Sequence, residues 1–149
     1  MLLYNPNELS DEVLALLQEL AKEYPLKTEG EGKKLNFLSS ENKEKLSVKI
    51  NDNEIFIEYG KISAAARGVA YALAGEEADE ILDFDTYAVL YDCSRNPILT
   101  TEYAAHWFRR LALLGYNMMM LYTKDAYQLP GETYFGYMRG AYSQEEIKE

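Results

Sequence analysis

The sequence predicts an α/β chain in two parts. Residues 1–75 read as a small α-β-β-β-α domain, with two helices covering one face of an antiparallel sheet. Residues 76–85 read as an acidic connector, and residues 86–149 as the first βαβ portion of a parallel sheet. Three observations carry this. Helical spacing of Val13, Leu14, Leu16, Leu17, Leu20 and Ala21 marks an amphipathic helix early on. Two alternating runs flank Asn51-Asp52-Asn53, a turn sequence that tolerates left-handed backbone. Last, Tyr87-Ala-Val-Leu-Tyr-Asp-Cys-Ser-Arg-Asn-Pro97 is a short apolar strand that opens at once into a polar loop, followed by a helical pattern and a second apolar run.

Ser10 can cap the first helix, with Asp11 and Glu12 at the positive end of its dipole, and Pro25 ends it. Lys27 to Lys34 is a loop with Gly30 and Gly32, and Leu35 to Leu38 is a strand. Leu46, Val48 and Ile50 share one face of the next strand, and Ile55 and Ile57 one face of its hairpin partner. Ser63 can cap the Ala-rich helix Ala64 to Ala74, which Gly75 closes at C′. Nothing in this part gathers titratable residues around a pocket.

In the second part a helix begins at Thr100 or Thr101. Ala104, Trp107, Phe108, Leu111 and Leu114 form its apolar stripe, with Arg109 and Arg110 off it in ion pairs or in solvent. Asn117 to Tyr122 is apolar throughout, as expected of a parallel strand buried on both faces. Thr123 to Arg139 is a Tyr- and Gly-rich loop, and Ser143-Gln-Glu-Glu146 is a capping box. Only three residues follow it, and an isolated helix of under about 12 residues is marginal. Two parallel strands also cannot close a core, so the expectation is the beginning of a larger architecture.

Composition excludes several functions. With 25 acidic and 15 basic residues the net charge is −10, which disfavours nucleic acid and anionic membranes as partners. Cys93 is the only cysteine and His106 the only histidine, so neither a disulfide nor a zinc site is expected. No cofactor is implied. The N-terminus lacks the basic and apolar regions of a signal peptide, and no apolar run approaches the roughly 20 residues of a membrane span. A cytoplasmic protein is the expectation. The 13 tyrosines suit sugar stacking and buried interfaces equally.

Tyr91-Asp-Cys-Ser-Arg-Asn96, Arg110-Leu-Ala-Leu-Leu-Gly-Tyr-Asn-Met-Met-Met-Leu-Tyr122, Tyr134-Phe-Gly-Tyr-Met-Arg-Gly140 and Tyr142-Ser-Gln-Glu-Glu146 occur in that order. Together they resemble the start of the catalytic barrel in bacterial glycoside hydrolase family 20, the β-N-acetylhexosaminidases. Residues 1–75 resemble, in element order, the small α/β domain that often precedes that barrel. The resemblance implies an N-terminal fragment of a glycosidase, with residues 86–149 opening a truncated TIM barrel. It also implies substrate-assisted, retaining hydrolysis of terminal N-acetyl-β-hexosamine from a glycan, in which the sugar's acetamido oxygen attacks the anomeric carbon. The family's catalytic Asp-Glu pair lies on a later strand. Asp11-Glu12 and Asp79-Glu80 do not match it, so the fragment itself is expected to be inactive.

Arg95 matches the arginine that holds ring hydroxyls, where a planar fork donates to two oxygens at once; the plainer reading ties it to Asp92 or a carbonyl. Asp92 reads as a support for Arg95 or the loop rather than a direct ligand. Asp125 stands where the family places acids that touch substrate, with Lys124 beside it where a second acid is common. Tyr122 and Tyr127 line the pocket or simply pack. His106 reads as structural, and Cys93 as a semi-buried thiol without a nucleophile's partner. The alternative function is a non-catalytic module that holds carbohydrate or protein through its tyrosine-rich loop. A fragment with bare strand edges is expected to self-associate.

Overall fold

The computed structural model describes residues 1–94, 98–137 and 140–148. These form two compact units, one of Met1–Tyr87 with Arg109–Asn117, the other of Ala88–Phe108 with Met118 onward.

The first unit is a six-stranded sheet with two helices. Its strands are β1 (Leu2–Leu3), β2 (Leu26–Lys27), β3 (Lys33–Ser39), β4 (Lys45–Ile50), β5 (Glu54–Tyr59) and β6 (Ala78–Ile81), in the order β2-β1-β3-β5-β4-β6. Ser10 caps α1 (Asp11–Leu20), its hydroxyl accepting from the Val13 amide at 3.4 Å. The β4–β5 hairpin forms as expected, with Ile50 opposite Ile55 and the Asn51 amide closing the turn onto Glu54.

The sheet is mixed, not antiparallel. β3 runs parallel to β5, from Lys34 opposite Glu54 to Ser39 opposite Tyr59. The chain leaving β3 passes over the end of β5 and places β4 on its far side. Gly60 makes the crossing possible, because a Cβ there would sit 2.1 Å from the Asn42 carbonyl oxygen and 2.5 Å from Lys43 backbone. Main chain at that distance cannot be displaced cheaply, so the position admits no side chain.

The expected connector is not one. Ala78–Ile81 pairs antiparallel with β4, Ala78 opposite Val48 and Ile81 opposite Lys45, and makes the sheet edge. Acidic residues there are strand side chains facing basic partners, since Asp79 takes the Lys45 ammonium at 2.5 Å.

The second helix, α2 (Ile62–Ala74), starts two residues earlier than expected, and Lys61 rather than Ser63 occupies its N-cap, with no side-chain cap bond. Gly75 closes it in the left-handed region (φ 74°). Ala64, Ala65, Ala66, Val69 and Ala72 are buried with Val13, Leu17, Leu20, Leu46, Val48, Ile55 and Ile57. Small residues let the helix lie close to the sheet. At Gly68 a Cβ would come within 2.5 Å of Ile57 Cγ2.

Two arginines fasten the unit. Arg109 donates to Glu19 at 2.6 and 2.9 Å and to Glu23 at 2.5 Å, the ion pair expected of it. Arg67 on α2 grips Glu80 of β6 with two bonds, 2.6 and 2.9 Å, and gives a third to the Leu114 carbonyl at 3.2 Å. The Tyr71 hydroxyl also donates to Glu80. Arg67 beside Glu80 holds its carboxyl below the usual value of 4.5, with partial burial opposing and the Tyr71 hydroxyl assisting.

A group with a depressed folded pKa contributes stability that is complete above its unfolded pKa and is lost as pH falls through the folded one. In urea unfolding at neutral pH, Glu80→Gln is expected to cost about 1 kcal/mol for this half-buried, bidentate pair. The gap from wild type should close as pH falls below the usual carboxylate range. A gap that persists at acid pH would contradict the assignment.

Candidate functional site

The second unit is built on β7 (Ala88–Asp92) and β8 (Met118–Tyr122), which pair in parallel. A parallel pair needs a crossover connection, and α3 (Thr101–Leu113) lies on it. Thr100 caps that helix, its hydroxyl accepting from the Tyr103 amide at 3.2 Å. Ala88 stands opposite Met118 and Asp92 opposite Tyr122, so both carboxyl ends finish level. One further bond, Cys93 amide to Tyr122 carbonyl at 3.0 Å, continues the ladder into the loop.

Asp92 turns the chain there. Its Oδ1 accepts the Ser94 amide at 2.7 Å, the local side-chain-to-backbone bond that Asp makes in turns. This is the loop-supporting part expected of it. Arg95, the leading candidate for sugar contact, lies outside the described residues with Asn96 and Pro97.

After β8 the chain turns over Thr123 to Ala126, whose amide donates to the Thr123 carbonyl at 2.8 Å. Lys124 takes the left-handed conformation (φ 47°), and its ammonium sits 5.8 Å from the centre of the Tyr122 ring. Asp125 follows, exposed. The register thus brings Asp92 beside the residue that begins the Asp125 turn. Tyr127 packs edge-on against Phe135 at 5.1 Å, a packing role rather than an open platform.

Behind these loops is a small core of Cys93, Ala126 and Tyr142, all buried. Tyr142 holds three segments together. Its hydroxyl donates to the Leu99 carbonyl at 2.6 Å, its amide to the Ala126 carbonyl at 3.1 Å, and its carbonyl accepts the Gln128 amide at 2.8 Å. Gly136 (φ 73°) lets the far side of the loop come in, since a Cβ there would meet the Tyr127 carbonyl oxygen at 2.5 Å. Burial, then the charge of Asp92, pushes the Cys93 thiol up, which disfavours the thiolate. His106 stacks on Tyr103 at 5.7 Å within α3. Among the described residues no three His, Cys, Asp or Glu side chains are grouped to hold a metal.

Two expectations of burial fail. Among the described residues the β7–β8 sheet has two strands, and one of its faces is open: Leu90 is 62% exposed and Met120 51%, with Met118 and Tyr122 beside them. On α3 the stripe is also partly open, since Ala104 and Leu111 are buried while Trp107, Phe108 and Leu114 are exposed. The capping box of Ser143 and Glu146 forms as expected, with bonds of 2.7 and 3.1 Å, at the start of α4 (Gln144–Lys148). Sequence reasoning gave Tyr142 no role beyond its motif. A buried anchor in a polar stretch has no periodic signal.

No family model matches the chain, and no curated protein sequence does. Solved structures do. The chain is similar to an exo-β-N-acetylglucosaminidase of glycoside hydrolase family 20 from Vibrio harveyi, in an inactive mutant (TM-score 0.60) and in complex with N-acetylglucosamine (TM-score 0.58). Both comparisons give 19% identity over 84% of this chain. The likeness is one of fold. It spans 22% of the length of that enzyme's chain.

Proposed function

We propose that this chain is the N-terminal part of a glycosidase that removes terminal N-acetyl-β-hexosamine residues by a substrate-assisted, retaining mechanism. The observation that carries the reading is the level pair of parallel strand ends, β7 and β8, in a fold similar to a family 20 exo-β-N-acetylglucosaminidase over 84% of the chain. Ligands of such sheets bind beyond the carboxyl ends of the strands.

In this reading the residues present hold the sugar and do not break the bond. Arg95 donates to two ring hydroxyls, Asp92 braces the loop that carries it, and Asp125 accepts from the sugar at the end of the neighbouring strand. The acetamido oxygen of the sugar displaces the leaving group at the anomeric carbon, a general acid protonates that group, and water then opens the cyclic intermediate. The acid and the carboxylate that orients the acetamide are supplied by residues outside this chain. Its two Asp-Glu sequences do not serve, because Asp11 and Glu12 open α1 while Asp79 and Glu80 are paired with Lys45 and Arg67.

The purified 149-residue chain is therefore expected to release no nitrophenol from an aryl N-acetyl-β-glucosaminide above the buffer rate. It should still bind N-acetylglucosamine in calorimetry, about tenfold more weakly in Arg95→Ala, as expected for charge-assisted hydrogen bonds. Steady hydrolysis by the chain, or binding indifferent to Arg95→Ala, would contradict the proposal.

One observation supports self-association of the fragment itself. The exposed row of Leu90, Met118, Met120 and Tyr122 is an apolar sheet face beside unpaired strand edges. Sedimentation of the chain is expected to show a mass that rises with concentration, and Met120→Lys should lower it toward the monomer. A monomer at all concentrations would contradict that self-association and favour the second reading, a stand-alone, non-catalytic module that holds carbohydrate or protein through its tyrosine-rich loop.

A further inference from the structure

A pocket of about 470 Å³ opens in the first unit. Part of its lining is a ladder of aromatic rings. Phe84 lies 6.5 Å from Tyr87 with the rings 14° apart, and Tyr87 lies 4.1 Å from Tyr116 at 13°. Phe84 is 74% exposed, so the outer ring of the ladder offers its face to solvent.

The frame of the ladder is fixed. Asn117 Oδ1 accepts the Tyr87 amide at 2.9 Å, and its Nδ2 donates to the Asp85 carbonyl at 2.7 Å. The polar lining is less committed. Lys61 spends one N–H on Asp85 at 2.5 Å and keeps two. Asp83 lines the pocket and makes no side-chain hydrogen bond or ion pair among the described residues.

We propose that this pocket is a second, non-catalytic binding site for a neutral sugar ring. A pyranose has an apolar face of C–H groups that needs a flat partner, which the exposed outer ring, Phe84, supplies. Its hydroxyls each donate and accept. Asp83 accepts from them, Lys61 donates to them, and the Asn117 amide retains capacity for both. An anionic ligand is disfavoured because the two lining cations, Lys61 and Arg67, are already paired with Asp85 and Glu80, while Asp83 adds a negative charge. The volume falls within the range of about 300–1,000 Å³ of small-molecule sites. The site uses no residue of the β7 and β8 ends, so it stands or falls independently of the glycosidase reading.

The test is a titration of the full, ¹⁵N-labelled chain with cellotriose, a neutral β-linked trisaccharide, followed by amide shifts. Saturable shifts are expected at Asp83, Phe84, Asp85, Tyr116 and Asn117. Phe84→Ala and Asp83→Asn should each weaken binding by about tenfold, and Phe84 is exposed enough that its loss leaves the fold intact. Arg95→Ala should change the affinity by less than about twofold, as for independent sites. No shifts at those amides, wild-type affinity in Phe84→Ala, or shifts confined to Asp92–Ser94 and Thr123–Tyr127 would each overturn the proposal.

Discussion

Parallel pairing of β7 with β8 is the constraint from which the candidate site follows. In a parallel pair both strands end at the same edge, so the loops that leave them start side by side. The register, Asp92 opposite Tyr122, fixes that edge to the residue. Slipping it by one position would turn every side chain of one strand to the other face. The loops then need support of their own, since each has left the ladder. Asp92 turns one of them, and Tyr142 ties Leu99, Ala126 and Gln128 behind both. A polar site on loops thus gains definition from a strand pair in front and a buried phenol behind.

In the first unit the corresponding constraint is backbone clearance. β5 is inserted between β3 and β4, which requires a chain crossing, and the crossing occurs where Gly60 has nothing to collide with it. The alanines of α2 and Gly68 do the same for the helix against the sheet. Arg67 then joins helix, edge strand and the Leu114 carbonyl through one planar group, a geometry a lysine could not reproduce.

Much of this was legible in the residues. The α1 stripe with its Ser10 cap, the hairpin around Asn51–Asn53, Gly75 at the end of α2, and the strand–helix–strand order of the second part are all local signals, and all form. Sheet order was not legible. Nothing in the periodicity of Leu35 to Leu38 says whether that strand lies beside β4 or beside β5, and the glycine that decides it reads as an ordinary loop residue. The edge strand at Ala78–Ile81 was hidden by its acidity, because edge side chains answer to partners such as Lys45 and Arg67 and not to a core. Burial of β8 was overestimated for a related reason: an apolar run states what a strand tolerates, while coverage depends on how many strands stand beside it. At the site, Asp92 behaves as its residue type and position suggest. The aromatic ladder was not legible because Tyr116 joins Phe84 and Tyr87 from a distant part of the sequence.

The most direct measurement of the central claim is an amide-shift map of the ¹⁵N-labelled chain with N-acetylglucosamine. If the carboxyl ends of β7 and β8 hold the sugar, saturable shifts fall on Asp92, Cys93 and Ser94 and on the turn from Thr123 to Tyr127, and Arg95→Ala moves their midpoint to an about tenfold higher sugar concentration. Absence of shifts at those amides, or shifts there that survive Arg95→Ala unchanged, would contradict the account.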